Sequence, residues 1–102
     1  MLITAIDDFD MYSFNQRETL KVIVNTAVNN LSSISANYIS QVTKISEPNV
    51  YSNLRKLQKD NAIKKIRTTG TKLDSFELNP EKLEYILKLY QNKKAMEKNI
   101  TK

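Results

Sequence analysis

The stretch Ser35–Ile63, SANYISQVTKISEPNVYSNLRKLQKDNAI, decides how this chain is read. Ser35 suits the N-cap of a short helix through Thr43, since its hydroxyl can satisfy an exposed amide at the helix start. Ile39 and Val42 in that helix are spaced to face inward. Lys44 and Ile45 then form a tight turn. Ser46 caps a second helix, and Pro48 falls in its first turn, where a missing amide hydrogen costs nothing. Val50, Leu54 and Leu57 recur as i, i+4, i+7, so this helix buries one stripe and ends near Asp60. Asn61 suits the left-handed position after it.

Working outward, Ser13 and Gln16 fit a capping box. Leu20, Ile23, Val24, Ala27, Val28 and Leu31 follow on one helical stripe, which predicts a helix from about residue 15 to about residue 30, closed by Asn29-Asn30. Residues 32–34 read as a very short strand. The runs IKKIRT (63–68) and KLDSFEL (72–78) flank Thr69-Gly70-Thr71 as a hairpin. Asn79, Pro80 and Glu81 place a cap, a first-turn proline and an acid at the start of a last helix reaching about residue 98. Leu2, Ile3, Ile6, Phe9 and Met11 are apolar without a clear period. The expected organisation is therefore an N-terminal arm (1–12), a helix-and-hairpin domain (13–78) and a C-terminal helix (79–102). The fold class is mainly α with a small β-hairpin (α+β).

Composition removes several kinds of function. The 102 residues hold no cysteine and no histidine, so disulfides, thiolate chemistry and the commonest general base and zinc ligand are absent. One glycine, Gly70, leaves no phosphate-cradling loop. No apolar run approaches the roughly 20 residues that span a bilayer, and the first ten residues carry acid where a secretory signal carries base. The expectation is a cytoplasmic protein that is not an enzyme and uses no cofactor or metal. Asp7, Asp8 and Asp10 are the one acidic cluster that could hold a divalent ion, but no base, nucleophile or oxyanion donor stands beside them.

The order helix, short strand, helix, tight turn, helix, hairpin, helix resembles a winged helix-turn-helix with a C-terminal helix. Ile39, Ile45, Ser46, Asn49, Val50, Leu54 and Leu57 fall where the core of that superfamily, as in MarR-type regulators, carries its inward aliphatics, cap and polar positions. The resemblance covers residues 15–90 in order. It departs from the common pattern at Lys44 and Asn61, where glycines are usual. A lysine held at positive φ costs roughly 1 kcal/mol. What the resemblance implies is a DNA-binding domain whose second helix enters the major groove and whose hairpin is the wing; the length of 102 residues is expected to leave no room for a separate effector domain.

Charge points the same way. The net charge is +5 with a pI near 9.5. Residues 1–43 hold two bases against four acids, whereas residues 44–72 hold eight bases against two acids. A concentrated basic block is the expected footprint of a polyanion-binding face; the bland alternative is a solvated surface in a chain rich in Asn, Ile and Lys. With Val50, Leu54 and Leu57 inward, Glu47, Asn49, Ser52, Asn53 and Lys56 should point outward, with Tyr51 and Arg55 at the flanks. Pro48, Asn49, Tyr51, Ser52 and Arg55 are the expected base-reading set, since Asn pairs well with adenine and Tyr or Pro surfaces can touch a thymine methyl. Ser35, Asn37, Ser46, Lys56, Lys64, Lys65, Arg67 and Lys72 are the expected phosphate contacts.

The last helix carries two apolar stripes. Leu83, Ile86, Leu87 and Tyr90 share one sector; Tyr85, Leu89, Met96 and Ile100 share another, roughly 130° away. One stripe can serve the domain's own core, and the other suits a homodimer whose recognition helices address successive major grooves. Three functions fit. The first is a small dimeric, repressor-like transcriptional regulator. The second is a centromere-binding adaptor of a plasmid or phage partition system that also represses its own gene and partners a segregation GTPase. The size and layout are similar to that group, as is QNKKAMEK (91–98). The third is a winged helix used for protein contact alone.

Overall fold

Ser13 opens its helix with both halves of the expected capping box. Its hydroxyl accepts from the Gln16 amide at 3.2 Å, and its own amide donates to Gln16 Oε1 at 3.0 Å, so two helix-start amides are satisfied reciprocally. The computed structural model describes residues 1–66 and 74–100, with side chains described through residue 97. The elements are α1 (Leu2–Asp7), α2 (Phe14–Thr26), β1 (Leu31–Ser33), α3 (Ala36–Thr43), α4 (Glu47–Lys59), β2 (Ile63–Ile66), β3 (Ser75–Leu78) and α5 (Pro80–Ile100). The strands form an antiparallel sheet in the order β1-β3-β2. Among the described residues no helix is long and apolar enough to cross a membrane.

One apolar core draws on every helix. Ile6, Leu20, Ile23, Ile39, Val50, Leu57 and Ile86 are fully buried, and Phe76 and Leu78 bring the sheet against them. Burying each such aliphatic is worth about 1.5–3 kcal/mol. Ile6 identifies the first difference from the sequence reading. Residues 1–12 are not a loose arm: Ala5, Ile6, Phe9 and Tyr12 are core residues, and α1 packs on α2 and α5. A helix of six residues shows too few turns for its period to be read.

The second difference is where α2 stops. It ends at Thr26, and Val28 and Leu31 leave the stripe assigned to them. Asn29 and Asn30 both have positive φ, 54° and 66°. Val28 and Leu31 exchange backbone hydrogen bonds of 2.9 and 3.1 Å across them. Two central residues at positive φ make the tight hairpin turn that matches strand twist, so the Asn pair launches β1 instead of closing a helix. Thr26 fixes the junction through its hydroxyl, 2.6 Å from that of Ser32.

Val42, expected inward, is 53% exposed. Ala36 and Ile39 define the buried line of α3, and Val42 lies about 120° around the helix from Ala36. Lys44 does take the left-handed conformation, at φ 66°. Side chains compensate for the missing glycine: the Ser40 hydroxyl donates to the Ile45 carbonyl at 2.5 Å, and Thr43 Oγ1 accepts from the Ile45 amide at 3.2 Å. After α4, Asn61 at φ 61° lets its own amide donate to the Gln58 carbonyl and the Ala62 amide to the Leu57 carbonyl. That paired arrangement closes a helix without glycine.

Candidate nucleic-acid interface

α4 is positioned by what it buries. Val50, Leu54 and Leu57 turn into the core, with Asn53 beside them at 4% exposure. Asn53 was expected outward; at about 100° per residue it lies only some 40° from Leu57 and 60° from Val50, on the core side. The other half of the helix is open. Pro48, Asn49, Tyr51, Arg55 and Lys56 are exposed, and Ser52 is half-buried among them. Pro48, Tyr51, Ser52 and Arg55 share an arc of about 100°, and Asn49 and Lys56 extend it on one side. This face offers amide, hydroxyl and guanidinium groups with few acids. Glu47 in the first turn and Lys56 and Lys59 in the last complement the helix dipole.

The expected phosphate ligands differ in how free they are. Ser46 is exposed and makes no side-chain capping bond, contrary to the capping role assigned to it. Ser35 does cap, accepting from the Tyr38 amide at 3.0 Å, and Asn37 Oδ1 accepts from Gln41 Nε2 at 2.9 Å. Lys64 and Lys65 are exposed on β2, and Lys65 pairs with Asp74 at 3.4 Å. A groove of about 240 Å³ brings Tyr51 and Arg55 of α4 opposite Lys65, Asp74 and Phe76 of the sheet. Lys64 instead lines a cleft of about 530 Å³ with Gln58, Asn61 and Glu77. Arg67 and Lys72 lie outside the described residues, as does the Thr69-Gly70-Thr71 turn. Tyr38, exposed on α3 next to Asn37, was not singled out from sequence. A lone aromatic on a short helix carries no periodic signal.

Two networks stand behind this surface. Two of the three N-terminal acids are paired, Asp7 with Lys21 at 2.6 Å and Asp8 with Lys93 at 3.3 Å. Hydrogen bonds to Asp7 and then Glu18 push the Lys21 ammonium above its usual range. Among the described residues no three metal-ligating side chains come together. At the far end of α4, Asp60 accepts a hydrogen bond from the Tyr12 hydroxyl and pairs with Lys82 at 2.8 Å. Burial pushes the Asp60 carboxyl up, but the bonds from Lys82 and Tyr12 outweigh it and hold the carboxyl below the usual carboxylate range. Burial, then the bond to Asp60 and its charge, push the Tyr12 hydroxyl well above the usual phenol range.

No protein-family model matches the chain, and no curated protein matches it in sequence. Solved structures do match it in shape. A MepR variant of Staphylococcus aureus bound to an oligodeoxyribonucleotide superposes with a TM-score of 0.68 at 16% identity, over 98% of this chain and 70% of that one. The chain has the winged helix-turn-helix fold of MarR-type regulators. The adhesin competence repressor AdcR of Streptococcus pyogenes is similar at a TM-score of 0.60 and 14% identity, over 93% of this chain and 66% of that one. A transcriptional regulator from Clostridium thermocellum gives 0.57 at 18% identity, over 86% and 87%. Within this winged helix-turn-helix, α3 and α4 are the helix-turn-helix pair, and β2 and β3 are the stem of the wing.

On α5, Leu83 and Ile86 are buried and Leu87 and Tyr90 pack against the core. Tyr85, Leu89 and Met96 are exposed. The two stripes therefore separate as their spacing implies. The Ile100 side chain lies outside the described residues.

Proposed function

We propose that this chain binds double-stranded DNA sequence-specifically and acts as a small dimeric, repressor-like transcriptional regulator. The observation that carries the reading is the open face of α4, which carries Asn49, Tyr51, Ser52 and Arg55 and sets Tyr51 and Arg55 opposite the exposed Lys65 of β2. A helix of this width fits a major groove about 12 Å across. In that pose Pro48, Asn49, Tyr51, Ser52 and Arg55 meet base edges. Ser35, Asn37, Ser46, Lys56 and Lys64 meet phosphates, and Lys65, Arg67 and Lys72 carry the wing along the adjacent backbone or minor groove. The MepR structure with its oligodeoxyribonucleotide supports the pose by likeness of fold. The function calls for no catalysis, cofactor or metal.

Dimerisation through Tyr85, Leu89, Met96 and Ile100 completes the proposal. Residues 91–97 are exposed, and Leu89 and Met96 leave apolar surface open on this part of α5 even though Lys93 pairs with Asp8. A second copy would give it a surface to pack on and would set two recognition helices on one site. The same exposed, lysine-bearing end is the one feature that favours the second reading, a partition adaptor whose α5 meets a segregation GTPase. Gel shifts on DNA flanking the gene separate the two. One inverted repeat over a promoter supports the regulator, whereas direct repeats filled cooperatively support the adaptor.

A further inference from the structure

One carboxylate oxygen joins the end of α4 to Tyr12 and to α5. Asp60 is the C-cap of α4, where the helix dipole disfavours an acid, so capping does not account for it. Its Oδ2 takes both the Tyr12 hydroxyl and Lys82 Nζ. Tyr12 is 5% exposed, so its hydroxyl depends on this partner. The Tyr12 ring meets Phe9 edge-on at 4.8 Å, and Phe9 meets Tyr85 edge-on at 6.4 Å. Lys82 Nζ also stands 5.5 Å from the centre of the Tyr85 ring. Tyr85 is half-exposed on the outer face of α5, where it lines a cleft of about 380 Å³ with Phe9, Met11 and Leu89.

α4 packs on α2, α3 and β2, and α5 packs on α1, which itself packs on α2. The end of α4 is joined to Tyr12 and to α5 by polar bonds, through the Asp60 cluster and through Asn79 Nδ2 donating to the Asn61 carbonyl at 2.8 Å. We infer that Asp60 is a positioning residue through which the outer face of α5 controls the placement of α4. A partner pressing on Tyr85 moves Lys82, and the Asp60 carboxylate and Tyr12 hydroxyl must then re-pair at the last turn of α4. Occupancy of the α5 face and the placement of α4 are thereby linked, and the link is reciprocal. The consequence for DNA affinity rests on the DNA-binding reading above.

Amide hydrogen exchange on the full chain without DNA tests the link directly. The amides of Asp60, Asn61 and Ala62 close the last turn of α4. In Tyr12→Phe they should exchange about fivefold faster, the scale of one lost bond to a partly exposed charged group. In Tyr85→Ala they should exchange roughly threefold faster, through the loosened Lys82. Tyr85→Phe, which keeps the ring, should match the unaltered chain, and amides of α2 should be unchanged in all three. Equal acceleration in α2, or no change at α4 in Tyr85→Ala, overturns the inference. A duplex selected from a randomised pool by the unaltered chain should bind Tyr12→Phe several-fold more weakly. Failure to enrich any duplex counts against DNA binding, while the exchange result still decides the role of Asp60.

Discussion

The Tyr12 hydroxyl donates to the Asp60 carboxylate across 48 residues of sequence. It connects a segment that looks like a loose arm in the sequence to the end of the helix proposed to read DNA. Lys82 reaches the same oxygen from α5, so three separate elements meet on one charge. This contact makes the N-terminal residues part of the domain and gives α4 a fixed C-terminal anchor.

The contact has a pH signature at both ends. The Asp60 carboxyl is held below its unfolded value, so its stabilisation is present above about pH 4 and is lost as pH falls through the folded value. Tyr12 is held above its unfolded value, so its stabilisation is present below about pH 10 and is lost as pH rises beyond it. Tyr12→Phe should cost about 1 kcal/mol near neutral pH, discounted because Asp60 is partly exposed, and should remove the alkaline limb while only weakening the acid limb, which Lys82 sustains. Urea unfolding across the pH range measures it; unchanged limbs would show that other groups set them.

Asn49→Ala and Tyr51→Ala should each reduce preference for the cognate duplex by about 1–3 kcal/mol while leaving affinity for scrambled DNA nearly unchanged. Both side chains are exposed, so neither change should alter stability beyond about 0.5 kcal/mol. Parallel titrations by fluorescence anisotropy give the comparison. Equal losses on both duplexes would place sequence reading on another element.

Much of this was legible in the sequence because local chemistry and periodicity agreed. The Ser13 box, the Ser35 cap, the Val50–Leu54–Leu57 stripe and the two faces of α5 all rest on spacings of three or four residues. What escaped were places where such signals compete. Asn29-Asn30 fits a helix end and a hairpin turn equally well, and only the pairing of β1 with β3 selects the turn. Asn53 is polar yet buried, because its angle on the helix outweighs its chemistry. Tyr12 and Asp60 are joined by tertiary packing alone, which no local pattern encodes.

Lys64→Ala should weaken binding to every duplex and lower the slope of log affinity against log salt by roughly 1, one counterion fewer released per lost phosphate contact. Lys64 is exposed on β2, so its removal tests the wing stem without disturbing the core. A slope that does not move would take this strand out of the DNA interface.

Leu89→Glu with Met96→Glu should give a folded monomer, since both side chains lie off the buried stripe of α5. Losing one linked half-site should lower DNA affinity by a factor of roughly 10² or more. Sedimentation reports the assembly and circular dichroism the fold. A persistent dimer would move the interface elsewhere, and unfolding would mean that this face belongs to the core.

Selection of duplexes from a randomised pool, followed by footprinting of the enriched sequence, bears most directly on the central proposal of sequence-specific binding by a dimer through α4. The expected result is one inverted repeat with half-site centres about 10 base pairs apart, protected in two successive major grooves and lost at the base level in Asn49→Ala. No enrichment over the starting pool, or enrichment that Asn49→Ala leaves intact, would contradict it.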